Sequence, residues 1–192
     1  MNRDPAEVAP APWHVQRAAE VISEGGVVAC PTEAVWGLSC DPLNASACKR
    51  LLALKQRDWR KGLILVAADF EQLPMFVALP SNSAMKRATA TWPGPATWVF
   101  PVSEDAPPWL TGEHDGIAVR ITAHPVLRAL CRRSGPLVST SANRSGLPPA
   151  RNVTEVHLRL GKHIDAIVPG ALGGLAKPTT IRDVQTGHIL RR

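Results

Sequence analysis

The 192-residue sequence predicts a single α/β domain (α+β in some schemes), built as a twisted, mixed β-sheet flanked by helices. Three observations predict it. Short apolar runs of strand length interleave with segments whose apolar residues recur at helical spacing. The interleaving is irregular, with a pair of short helices expected in the middle and hairpin-like strands at the end. The length suits one hydrophobic core, and no internal repeat or low-complexity tract divides it.

Residues 1–12, rich in Pro and Ala, are expected to be a flexible N-terminus, with 13–192 forming the domain. Residues 13–24 place apolar side chains at 15, 18, 19 and 22, a helical stripe that Gly25-Gly26 stops. "VVAC" is a short buried strand ended by Pro31, and "PTEAVWGLSCDPL" reads as a loop. Asn44 can cap a helix running to about Lys55. "GLILVAA" (62–68) is a strand, and 69–91 read as two short helices around "LPSNS". "ATWVFPV" and "GIAVRIT" are strands, and His124-Pro125 opens a helix to about Arg133. Then come the strand "PLVST", a helix near 152–161, and short strands near 164–168, 179–184 and 187–191.

Composition narrows the function class. With 45% apolar residues the chain is globular, not disordered. No stretch approaches the roughly 18 apolar residues of a membrane span, and the N-terminus has no signal-peptide core, so a cytoplasmic protein is expected. The net charge of +6 suits a polyanionic ligand, or simply a solvated basic surface. Four cysteines and six histidines lack metal-ligand spacing, so free thiols and no metal site are expected. "GALGGLAKPT" imitates a phosphate loop, but its lysine lies three residues past the last glycine and precedes Pro178, which disfavours a phosphate-cradling strand-loop-helix. "SACK" falls in the first turn of an ordinary amphipathic helix.

Four clusters of polar residues remain at strand ends. Thr32 and Glu33 follow "VVAC". Lys55, Arg57, Arg60 and Lys61 lie between a helix end and a strand, where the helix dipole accounts for part of their charge. Arg120 sits in an apolar strand and needs either a structural carboxylate or an anionic ligand. "STSANRS" (139–145) can be a capping turn or a binding loop. Together they are the parts of a site for a small anion and a nucleotide. No nucleophile–base pair stands out, which favours chemistry by positioning and electrostatics.

The motifs "PTEAVWGL", "LKQRDWRKGLIL", "WPGPATWVF", "IAVRITAHP", "LVSTSANRSGLPP" and "PTTIRD…GHILRR" follow one another from Pro31 to Arg192. In this order they resemble the threonylcarbamoyl-AMP synthases, the YrdC/TsaC family, in its short bacterial form. The resemblance implies a YrdC-like domain whose sheet surrounds a basic cavity. It implies a nucleotidyltransferase that turns L-threonine, bicarbonate or CO2, and ATP with Mg2+ into threonylcarbamoyl-AMP and diphosphate. The product would pass to the tRNA threonylcarbamoyl-transferase machinery, for adenosine 37 of tRNAs reading codons that start with A.

Carried over by motif position, Thr32, Arg120, Ser139 and Thr179 are threonine-binding, with Arg120 on the carboxylate. Lys55, Arg57 and Lys61 form a catalytic clamp on the phosphates, and Ser141, Asn143 and Arg191 also bind ATP. Three departures stand out. Trp36 replaces the Tyr or Phe of many relatives and is expected to wall the cavity. "KQRDWRKG" lacks the prolines of longer relatives, and the sequence stops at Arg192, where those relatives continue into a further domain. A non-catalytic RNA-binding module is the alternative, and the enzyme itself is compatible with weak tRNA binding. Against the module, tyrosine is absent and the six tryptophans are scattered, where an RNA binder interleaves aromatics with basic residues.

Overall fold

The computed structural model describes residues 11–191. The expected flexible N-terminus therefore lies outside the described residues, apart from Ala11 and Pro12. Helix α1 (Pro12–Ser23) buries Val15, Ala18, Val21 and Ile22. Strand β1 (Val28–Pro31) follows, and then β2 (Trp36–Cys40). This second strand corrects the loop expected there. All five of its residues are buried, so it shows no polar alternation, and Gly37 and Ser39 are weak strand formers. Pairing with neighbours on both sides makes it a strand.

Helix α2 (Ala45–Lys55) starts where Asn44 accepts the Ala47 N–H at 2.9 Å. β3 (Ile64–Ala67) comes next. The first of the two expected middle helices is only a 3-10 turn at Phe70–Gln72, cut short ahead of Pro74. The second is α3 (Asn82–Thr89). β4 (Ala96–Pro101), the one-turn α4 (Pro108–Thr111), β5 (Gly116–Ile121) and α5 (Pro125–Ser134) follow. The chain closes with β6 (Leu137–Ser141), α6 (Val153–Leu160), β7 (Ala166–Ile167), β8 (Thr180–Asp183) and β9 (Ile189–Arg191).

Among the described residues the strands form one nine-stranded mixed sheet, in the order β7-β1-β2-β6-β3-β5-β4-β8-β9. The β3–β5, β4–β8 and β1–β7 pairs are parallel and the others antiparallel. The pleat sends alternate residues to opposite faces. Trp36, Leu38, Leu65, Val119, Val138, Trp98 and Phe100 point to one face, into a core closed by α2, α3, α4 and α6. Val28, Cys30, Val66 and Leu137 point to the other, beneath α1 and α5. Those two helices cover only the β1, β3 and β6 part of that face. Further along the same face none of the described helices lies over the sheet, and a cavity takes its place.

Candidate functional site

The cavity has two compartments. The smaller, about 370 Å3, is lined by Thr32, Gly37, Arg57, Arg120, Ser139, Ser141, Thr179 and Arg191, together with Thr97. The larger, about 550 Å3, has apolar walls from Val99, Ala118, Ile181 and Leu190, with Lys61, Asp115 and Asp183 at its polar edge. Arg57, Arg191 and the segment Gly62 to Ile64 belong to both and form the seam between them. The structure thus brings seven of the ten predicted site residues to the smaller compartment and Lys61 to the larger.

Local sequence explains how each side chain arrives. Ser139 and Ser141 are two apart on β6 and share the cavity face, as Arg120 does on β5 and Thr97 on β4. Gly37 of β2 shares it too, opposite Ser141 in the register. A Cβ there would sit 3.0 Å from Thr32 Cγ2 and 3.6 Å from Ser139 Oγ, so the missing side chain opens the floor. The same parity sends Trp36 the other way. It lies 2% exposed in the opposite core and does not wall the cavity, contrary to expectation. Thr179 is buried, and its hydroxyl pairs with that of Thr97 at 3.0 Å.

The remaining two residues lie beneath the site. Lys55 is 3% exposed, and its ammonium donates to the carbonyl oxygens of Ser141 and Asn143 and to Asn143 Oδ1. Asn143 is equally engaged: its amide donates to Arg144 O and Leu147 O, while its Oδ1 accepts the Ser141 hydroxyl at 2.6 Å. Lys55 and Asn143 therefore fix the loop that carries Ser141. Burial, and then the charge of Arg57, push the Lys55 ammonium down to about 8.

Electrostatically the cavity wants an anion. Burial, followed by the charge of Arg191, lowers the pKa of Arg57, whose Nε is buried without a partner among the described residues. Arg120 has one charged neighbour, Glu33, with Nη1 3.3 Å from Oε2, and its Nε is likewise unpartnered among the described residues. Burial alone would raise the Glu33 carboxyl. Arg120 and a 2.6 Å hydrogen bond from the Thr122 hydroxyl outweigh it and hold the carboxyl below its ordinary range.

Glu33, Thr122, Thr97 and Gly37 are the participants that sequence reasoning did not assign. The signal for Glu33 was present in the demand of Arg120 for a counter-charge, and Thr122 follows two residues later, just past the end of β5. Among the described residues no group of three or more His, Cys, Asp or Glu side chains comes together to hold a metal. No helix among them is long and apolar enough to cross a membrane. The four cysteines are buried free thiols.

Comparison with known proteins bears on nearly the whole chain. The family model Sua5_yciO_yrdC, described as "Telomere recombination", matches residues 20–192. A threonylcarbamoyl-AMP synthase of Halorhodospira halophila is 57% identical over 94% of this chain and 95% of its own. That of Pseudomonas aeruginosa is 50% identical over 93% and 97%. Among solved structures, P. abyssi Sua5 complexed with L-threonine superposes with a TM-score of 0.85 at 36% identity, covering 90% of this chain. The present chain spans about half (51%) of that longer protein. E. coli YciO gives a TM-score of 0.85 at 26% identity over 96% of this chain and 93% of its own. The six motifs, the mixed sheet with its half-covered face, and identity over nearly the whole length agree: this chain belongs to the Sua5/YciO/YrdC family.

Proposed function

We propose that this chain is an L-threonylcarbamoyladenylate synthase, a nucleotidyltransferase that joins L-threonine, bicarbonate and ATP and releases diphosphate. The observation that carries this reading is the convergence of Arg57, Arg120 and Arg191 on one two-compartment cavity whose smaller half is lined with hydroxyls. The names of the H. halophila and P. aeruginosa relatives support the activity, and the threonine complex of P. abyssi Sua5 supports the amino-acid substrate.

The smaller compartment suits threonine. Arg120 offers its guanidinium to the carboxylate, and Thr32, Ser139 and Thr179 surround the rest. In this reading the apolar walls of the larger compartment take the nucleoside, and Arg57 and Arg191, at the seam, take the phosphates. Lys61 stands at the outer edge for the departing diphosphate, while Lys55 holds the loop that presents Ser141.

In this reading the threonine amine, as free base, attacks bicarbonate and gives the N-carboxylate with loss of water. A carbamate oxygen then attacks the α-phosphorus in line, the bond to the bridging β-oxygen breaks, and diphosphate leaves. Arg57, Arg191 and Lys61 stabilise the charge that develops. Mg2+, as the companion of ATP, would be held chiefly by the phosphates and would neutralise part of their charge, with Asp115 and Asp183 the carboxylates lining the larger compartment. The mixed anhydride formed is labile, which fits delivery to a tRNA-modifying transferase in the cytoplasm.

Diphosphate release from ATP, measured with and without L-threonine and bicarbonate, tests the assignment. Release should require both. Release that ignores threonine would sink it.

A further inference from the structure

Beside the cavity lies a buried polar chain that the reaction scheme does not use. Arg120 Nη1 is 3.3 Å from Glu33 Oε2, Glu33 Oε1 accepts the Thr122 hydroxyl at 2.6 Å, and Thr122 Oγ1 accepts the His124 N–H at 3.1 Å. The geometry points to Glu33 as a positioning residue that sets the angle at which Arg120 presents its guanidinium to the substrate carboxylate. This rests on the reading of Arg120 as the threonine-carboxylate ligand.

Four features favour this role over a plain structural ion pair. The contact is one-sided: Arg120 lines the cavity, whereas Glu33 stands behind it and does not. Glu33 Oε2 approaches a single Arg120 nitrogen as an ion pair, and both that oxygen and Arg120 Nε are buried without a hydrogen-bond partner among the described residues. Glu33 therefore leaves part of the hydrogen-bonding capacity of the guanidinium unused.

Glu33 is also held more firmly than a counter-ion requires. Thr122 fixes its carboxylate, the Leu175 N–H donates to its carbonyl at 2.9 Å, and the Gly173 N–H donates to Thr32 O at 3.0 Å. A Cβ on Gly173 would come within 2.9 Å of Glu33 Cα. The glycine stretch that imitates a phosphate loop is instead the clamp on this turn. Finally, a buried ion pair adds little net stability compared with apolar residues of the same volume, so stability is a weak reason for placing one here.

Arg120, near the end of β5, and Thr122, the first residue beyond it, both contact Glu33, so the carboxylate is braced by the segment that carries its partner. A glutamine at 33 could still accept from Thr122, but its amide N–H groups would then face the N–H groups of Arg120. Charge and orientation fail together at that one contact, while the backbone clamp remains.

The test is a set of initial-rate measurements on the full chain, varying threonine and ATP separately, for Glu33→Gln, Glu33→Asp, Arg120→Ala and the Glu33→Gln/Arg120→Ala double variant. Glu33→Gln should raise the threonine KM about tenfold or more, with the ATP KM within about twofold. Glu33→Asp keeps the charge but withdraws it, and should raise the threonine KM in the same direction. It carries the test if Glu33→Gln does not fold. The double variant should be no worse for threonine than Arg120→Ala alone, since Glu33 acts only through that arginine. If Arg120→Ala leaves the threonine KM unchanged, the assignment of Arg120 falls and this inference with it. If Arg120→Ala raises it but the Glu33 variants leave it unchanged or lower it, or if the effects add, Glu33 does not position Arg120 and only this inference falls.

Discussion

The Lys55 ammonium, at the last residue of α2, lies under the loop that follows β6 and donates to the Asn143 carbonyl at 2.9 Å. The Ser145 N–H returns a hydrogen bond to the Lys55 carbonyl at 2.7 Å. Helix end and loop are therefore one unit, and the lysine holds Ser141 at the cavity wall instead of reaching into the cavity itself.

Lys55→Met should then cost stability as well as activity. It removes the charged donor shared by two carbonyls and an amide oxygen, and leaves the Asn143 carbonyl without its hydrogen bond, at about 2 kcal/mol. The urea midpoint should fall, and the ATP KM should rise with it.

The same lysine has a pH signature. The folded chain releases its proton from about pH 8, whereas the unfolded chain keeps it up to the ordinary lysine range. Between the two, the unfolded state carries more protons, so the Lys55 contribution to unfolding free energy rises with pH. Below that window both states are charged and the cost of burying the charge is fully present. Activity should move oppositely, falling above pH 8 as the loop loses its cation. Parallel pH profiles of urea stability and turnover would read the two slopes, and matching slopes would contradict the assignment.

Arg120→Ala should raise the threonine requirement far more than the ATP requirement. Two charge-assisted hydrogen bonds are lost, on the order of 3 kcal/mol, or roughly a hundredfold in threonine KM. Initial rates with each substrate varied in turn check this, and equal effects on both would remove its role.

Gly37→Ala should keep the fold and narrow the threonine compartment. The new methyl would meet Thr32 Cγ2 at 3.0 Å and approach Ser139 Oγ. A severalfold rise in threonine KM is expected, with thermal unfolding close to that of the parent protein. An unchanged KM would show that the floor is roomier than the geometry indicates.

Arg191→Met removes one of two like charges at the seam. The ligand-free protein should unfold at the same temperature or higher. The rise in melting temperature produced by a fixed ATP concentration should shrink, because that rise tracks nucleotide affinity. Calorimetry with and without ATP distinguishes this from a general loss of stability.

Local chemistry made much of the fold legible. The Asn44 cap, the proline at the start of α5 and the β-branched runs at β3 and β5 each carried their own signal. β2 did not, because a strand buried on both faces and built of Trp, Gly, Leu, Ser and Cys shows neither alternation nor strand-forming composition. The facing of Trp36 depends on register with β1 and β6, which no local pattern encodes. Glu33 was visible as a residue but not as a partner. The Thr122 hydroxyl that fixes it lies 89 residues away, and only strand order brings the two together.

The half-covered sheet has a consequence for variation. Along β4, Trp98 and Phe100 face the core while Thr97 and Val99 face the cavity, and along β6 Val138 faces the core while Ser139 and Ser141 face the cavity. Tolerance to substitution should therefore form a comb, with neighbouring positions failing for unrelated reasons: one tooth by unfolding, the next by losing substrate while the protein stays intact. Selection for new specificity can work on the second set without touching the first, because the empty half of that face carries chemistry and almost none of the packing.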